Sequence, residues 1–393
     1  METHIPKIFP AAKTINAKVG ETSRLLFIDN IRIYLTILVI AHHLMIIYTD
    51  SGGWIYHEGR QDEITSILGG WFCAVNQAYF MGLFLLISAY FVPGAYDRKG
   101  PRKFLVDRLV RLGIPLVFYS WVLRPLLIFL GEKFPGSFWT WYRFIYFKHY
   151  GFIGGGPVWF IEILLIFSVI YAILRSVMQR PIQKPMKESK FPGSRKIVLF
   201  TLILGSVSFF IRIFTRINES YFPLNLQFAN IAQYTALFVV GLVAYRQDWL
   251  TKLPDPVGKK WLRVAIFIII IYAPLGLLTL SFGEPDSFLG GRHWQSMAFS
   301  QWESFLCVSA CIGLIYLFRR KLNQQGIIAK ELSRSAYATY LLHEPVITFL
   351  AIFTEGLIIY PLLKFVIAVF IMTPICFLVG GLVRRIPYVG RVL

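Results

Sequence analysis

The residues of this chain best equipped for chemistry sit where water is scarce. His42 and His43 are adjacent inside the first long apolar run, Glu162 follows a glycine-rich turn at the start of another, and His343-Glu344-Pro345 interrupts a third. An imidazole titrates near neutral pH and can take a proton from a hydroxyl, and a neighbouring carboxylate can orient the ring and stabilise the imidazolium. Ionisable groups in hydrocarbon are costly unless buried in protein or water, so by default they point to function. Arg32 and His43 are about three helical turns apart, which puts them on one face about 16 Å apart along the axis. His42 is rotated roughly 100° away. The plainer alternative is that Arg32 snorkels and His43 hydrogen-bonds a neighbouring helix.

The third run offers a second polar face. Tyr337, Tyr340 and Glu344 are spaced i, i+3, i+7, and Pro345 frees a backbone carbonyl near position 341, a feature of helices that line cavities. Pairing of Glu344 with Arg32 or Arg124 is the structural rival. Glu162 should lie at a depth close to that of His43, and Trp159 before it also suits an interfacial anchor. Gly154-Gly155-Gly156 is not a phosphate loop, because no Lys-Ser/Thr follows. Arg124, Arg212 and Lys364 fall near span ends and read as snorkelling cations.

These residues need a scaffold, and composition dictates its kind. Of 393 residues 56% are apolar and 16% charged. Runs long enough to cross ~30 Å of hydrocarbon recur near 29–49, 70–92, 104–130, 157–178, 196–217, 228–246, 262–282, 298–318, 334–354 and 360–383. They are continuously apolar rather than alternating, which predicts helices, since lipid admits only helices or closed barrels. The expectation is an all-α integral membrane protein with about ten transmembrane helices.

Loop charge supplies an orientation. Thirty of the 40 Lys and Arg fall in one alternating set of loops and the two tails, whereas the opposite loops hold only Arg60, Lys133, Arg143, Lys148, Arg212, Arg216 and Arg292. The basic set is expected on the cytoplasmic side, with both termini there. The net charge of +19 thus reflects topology rather than nucleic-acid binding. Residues 1–24 read as a polar, basic cytoplasmic tail without a cleavage site, so the first apolar run is expected to remain as a span. The proline-rich, basic stretch 180–195 reads as a cytoplasmic linker between two five-span halves. Cys73, Cys307, Cys311 and Cys376 lie in apolar runs and read as packing residues, with no metal site.

Several of these segments together resemble the acyltransferase 3 family of membrane O-acyltransferases. They are Phe27-Ile-Asp29-Asn-Ile-Arg32 with His43, Gly82-Leu-Phe-Leu-Leu-Ile-Ser88-Ala-Tyr-Phe, Arg108-Leu-Val-Arg111-Leu-Gly-Ile-Pro115, Trp159-Phe, Tyr340-Leu-Leu-His343-Glu344-Pro345 and Ile386-Pro-Tyr-Val-Gly-Arg391. The likeness spans nearly the whole chain from about residue 25, making 25–393 one membrane domain, and is greatest to the glucans biosynthesis protein C branch. That branch is associated with succinylation of periplasmic glucans. Two positions depart from the pattern: Ala89 stands where glycine is usual, and Glu344 where a second histidine is expected.

The resemblance implies a multi-pass protein of the bacterial inner membrane. It would move an acetyl or succinyl group from cytoplasmic acyl-CoA, used as a substrate with no permanently bound cofactor, to a hydroxyl of an extracytoplasmic glycan or glycolipid. It makes His43 the general base, with Glu344 or Glu162 orienting it, and gives Arg32, Arg108 and Arg111 the donor's phosphates and pantetheine. Ser88, Trp159, Tyr340 and His343 would line the cavity. The alternative from another class is a transporter or lipid flippase using the intramembrane His and Glu residues as a proton relay; clear internal repeats, which would favour it, are not visible.

Overall fold

A computed structural model of the chain describes residues 24–49, 52–58, 62–178, 190–279, 284 and 286–393, with the side chains of 273–279 excepted. The tail through residue 23 and most of the expected linker, 179–189, lie outside the described residues. The protein is an all-α membrane protein. Its long helices are α1 (Leu26–Thr49), α2 (Glu63–Lys99), α3 (Pro101–Gly131), α4 (Gly156–Val177), α5 (Ser194–Arg212), α6 (Phe228–Gln247), α7 (Asp255–Thr279), α8 (Trp294–Lys321), α9 (Ile327–Phe353) and α10 (Pro361–Arg384). Among the described residues nine of these, all but α7, are long and apolar enough to cross a membrane. Helix α7 occupies the place of the remaining expected span, and its side chains beyond Tyr272 lie outside the description.

Helices α1 and α2 form the centre. Helix α1 packs on α2, α9, α10 and α8, and α2 packs on α6 and α8. Their interiors are continuous apolar ladders such as Ile28, Ile31, Leu35 and Val39 facing Tyr79, Leu83, Leu86 and Ile87. Gly241 lets the backbone of α6 close on α2, where an added Cβ would lie 2.4 Å from the Leu86 carbonyl oxygen. The outer helices turn large apolar groups away from the protein, among them Phe210 on α5 and Phe370 on α10, as a lipid-facing belt requires. Asp62 caps α2 by accepting from the Thr65 amide at 3.0 Å and its hydroxyl at 2.5 Å, and these bonds hold its carboxyl below the usual carboxylate range.

Helix α3 is not a plain span. It contains π-turns at Leu109–Gly113 and Tyr119–Leu123, close to Pro115 and Pro125. A proline inside a helix displaces the carbonyl four residues earlier. Those carbonyls, of Arg111 and Trp121, are taken up by tyrosine hydroxyls from other segments: Tyr337 donates to Arg111, and Tyr142 donates to Trp121 at 3.0 Å. The prolines that break the helix thus also tie it to its neighbours.

Two cations expected to snorkel are buried instead. Arg212 is 1% exposed and donates to Glu303 at 2.5 Å, Asn230 at 2.7 Å, Ser300 at 3.1 Å and the Ala229 carbonyl at 3.2 Å. Lys364 pairs with Glu58 and donates to the carbonyls of Thr354 and Leu357. Each finds enough oxygen acceptors from distant segments to leave solvent.

Candidate active site

His43 on α1 and His343 on α9 meet inside the bundle. His43 Nδ1 lies 2.8 Å from His343 Nε2, and the rings are 7° from parallel with centroids 5.0 Å apart. The other nitrogen of His343, Nδ1, is 2.6 Å from the backbone carbonyl of Tyr340. A carbonyl only accepts, so His343 Nδ1 carries a proton. In the neutral ring His343 Nε2 is then an acceptor, and His43 Nδ1 must donate to it. One backbone carbonyl therefore leaves the lone pair of neutral His43 on Nε2.

The partner that orients His43 is thus His343, not Glu344 or Glu162. The reason is helical: positions 343 and 344 are about 100° apart around α9, so only one of them can face α1. His343 is fully buried, whereas His43 is only half-buried. A face of His43 is covered by Trp54, with centroids 4.2 Å apart and planes 28° from parallel. His43 is thus held at its Nδ1 edge by His343 and covered on one face by Trp54. Trp54 sits on the segment 52–58, which is anchored by the Glu58 amide on the Ile47 carbonyl at 3.0 Å and by the Glu58–Lys364 pair. His42 points elsewhere, buried against the Phe80 ring at 5.1 Å.

The two carboxyl groups gather at the triple glycine. Gly154, Gly155 and Gly156 all have positive φ, at 77°, 77° and 53°. A Cβ on Gly154 would strike Glu162 Oε2, one on Gly155 would strike the Arg124 guanidinium, and one on Gly156 would meet Tyr119 Oη and Glu344 Oε2. Glycine is required here twice over, by conformation and by space. The Tyr340 hydroxyl donates to the Pro157 carbonyl, so the residue that fixes His343 also fixes this loop. The rival pairings of Glu344 are not made: Arg32 pairs with Asp29 at 3.2 Å, and Arg124 donates to the Tyr150 carbonyl at 2.8 Å.

Arg32, Arg108 and Arg111 converge at the other end of the site. Arg32 lies over the Phe91 ring at 5.0 Å, just beyond the break where the Phe91 amide bonds the Ser88 carbonyl. Arg108 lies over the Phe104 ring at 5.1 Å, and the charge of Arg111 is felt by both Arg32 and Arg108. Asp107, beside them in sequence, pairs with Lys99 at 2.5 Å. Guanidinium groups gathered around Arg111 in this way suit a polyanion. Trp159 stacks on Tyr234, with centroids 5.1 Å apart, inside the bundle.

Trp54 and Tyr119 did not emerge from the sequence. Both are aromatic residues in an aromatic-rich chain, and only the fold brings them to His43 and Glu344.

Comparison with known proteins identifies the family of the chain. A family model described as an acyltransferase domain, that of the acyltransferase 3 family, matches residues 25–381. Glucans biosynthesis protein C of Escherichia coli (strain 536) is 21% identical over 376 residues, covering 92% of this chain and 92% of that protein. No solved structure matches.

Proposed function

Since the chain belongs to the acyltransferase 3 family and is an acyltransferase, we propose that it carries an acetyl or succinyl group from cytoplasmic acyl-CoA to a glycan or glycolipid hydroxyl across the membrane. The observation that carries the chemistry is the lone pair on His43 Nε2, set by the hydrogen bonds from His43 to His343 and from His343 to the Tyr340 carbonyl. His43 Nε2 takes the hydroxyl proton as the oxygen attacks the thioester carbonyl. The tetrahedral intermediate collapses, the C–S bond breaks, and the imidazolium returns its proton to the departing thiolate. Proton balance closes without a further cofactor. Such a base typically gives about 10²–10⁴-fold, and His343 holds the imidazolium through its unprotonated Nε2.

The guanidinium groups of Arg32, Arg108 and Arg111 would receive the donor's phosphates, and their place among the basic loops supports a cytoplasmic donor with both termini on that side. The name of the similar E. coli protein refers to glucans, which supports a glucan-like acceptor and a bacterial inner membrane. The test is to incubate the purified full-length protein with acyl-labelled acetyl-CoA or succinyl-CoA and a β-linked glucose hexasaccharide. Alkali-labile label on the glycan is the expected result. Glycan counterflow without ester formation would support a transporter instead.

A further inference from the structure

We propose that Tyr119, Glu344 and Glu162 form the subsite that grips the acceptor, taking hydrogen bonds from neighbouring hydroxyls of a sugar that approaches past Gly156. Buried polar atoms are nearly always partnered. Yet Tyr119 Oη, Glu344 Oε2 and Glu162 Oε2 are buried without a hydrogen-bond partner, on residues 1%, 1% and 3% exposed. They come from three helices, α3, α9 and α4, and reach one loop. Neither carboxyl is paired with a cation among the described residues: Arg32 pairs with Asp29, and Arg124, whose guanidinium lies against Gly155, donates to the Tyr150 carbonyl.

Gly156 supplies the approach. It is exposed, and an added Cβ would lie 2.6 Å from Tyr119 Oη and 2.9 Å from Glu344 Oε2. Only a residue without a side chain fits against these two atoms, and Gly156 is an exposed residue of the loop beside them. Two carboxyl oxygens that accept and a phenol that both donates and accepts call for a ligand rich in hydroxyls, which do both, and a carboxylate accepts two adjacent hydroxyls at once. With two carboxyl groups to the single Arg124 guanidinium at this loop, a neutral polyhydroxyl ligand suits it better than phosphate or a succinyl carboxylate, which separates this subsite from the arginine group where the donor is held. Tyr340 couples the subsite to the base, since its hydroxyl holds Pro157 next to Gly156 and its carbonyl holds His343.

The inference rests on the acyl-transfer proposal, and one experiment separates the two. Transfer kinetics are measured on the full-length protein with acyl-CoA and the β-linked glucose hexasaccharide. Tyr119→Phe and Glu344→Gln should each raise the acceptor KM about tenfold, as for loss of one hydrogen bond to a buried polar or charged group, with the donor KM unchanged. Tyr119→Phe removes only the hydroxyl and carries the test if Glu344→Gln fails to fold. Failure of the wild-type protein to form ester would refute acyl transfer itself. Wild-type ester formation with an unaltered acceptor KM in folded Tyr119→Phe would overturn the subsite, as would a fall in kcat with both KM values unchanged. A hexasaccharide bearing amines that competes more tightly than glucose oligomers would overturn the preference for hydroxyls.

Discussion

His43 and His343, 300 residues apart in the chain, share a 2.8 Å hydrogen bond between Nδ1 and Nε2. The bond fixes which edge of His43 can act as a base, because His343 is itself fixed by the Tyr340 carbonyl at 2.6 Å. A backbone atom of α9 thereby sets the protonation pattern of a side chain on α1. In the proposed mechanism His343 acts through His43 and is a positioning residue.

Replacing His343 should therefore lower kcat more than it alters either KM. His343→Leu leaves His43 without an acceptor at Nδ1, so the ring can flip or change tautomer, and the expected loss is about 10²-fold. His343→Gln, whose amide oxygen can accept from Nδ1, should recover part of it. Equal kcat values for Leu, Gln and His at this position would remove the positioning role.

Trp54 covers a face of His43, while His343 bonds its Nδ1 edge. Its removal should admit water to the base and increase acyl-CoA hydrolysis at the expense of transfer. Trp54→Ala is compared with wild type by the ratio of free thiol to glycan ester. That ratio should rise several-fold and fall back toward wild type in Trp54→Phe; an unchanged ratio in Trp54→Ala would show that the ring does not exclude water.

The three arginines predict a donor-specific defect. Arg108→Ala and Arg111→Ala should each raise the acyl-CoA KM about tenfold, as expected for loss of a charge-assisted hydrogen bond, and leave the acceptor KM alone. A donor KM that stays at the wild-type value in the double variant would place the coenzyme A phosphates elsewhere.

Arg212 and Glu303 form a buried ion pair, with side chains 1% and 6% exposed. Removing one member leaves an uncompensated charge, which costs about 3–5 kcal/mol, at the low end here because Asn230, Ser300 and the Ala229 carbonyl remain. Glu303→Leu should lower the thermal midpoint in detergent by several degrees, and Arg212→Met in the same chain should restore much of it. No change in Glu303→Leu would mean that the pair adds nothing to stability.

The sequence carried the scaffold well, because transmembrane helices announce themselves locally through length and apolarity. Arg32 and His43 were legible for the same reason: both lie on α1, and helical periodicity relates them. His343 and Glu344 were legible as unusual residues but not in their roles. Adjacent positions look equivalent until the facing helix is known, and it is His343 that meets His43. The burial of Arg212 and Lys364 was hidden because their partners, Glu303 and Glu58, come from distant segments. The gathering of Tyr119, Glu162 and Glu344 at Gly154–Gly156 depends on helix packing and left no local signal beyond the glycines.

The central claim is that His43 Nε2 takes the proton of the acceptor hydroxyl. Its most direct test is a single-turnover measurement of acyl transfer to the glucose hexasaccharide by His43→Ala, purified with wild-type elution and thermal midpoint, at saturating acyl-CoA. A fall of about 10²–10⁴-fold is expected. Transfer at the wild-type rate would contradict the account.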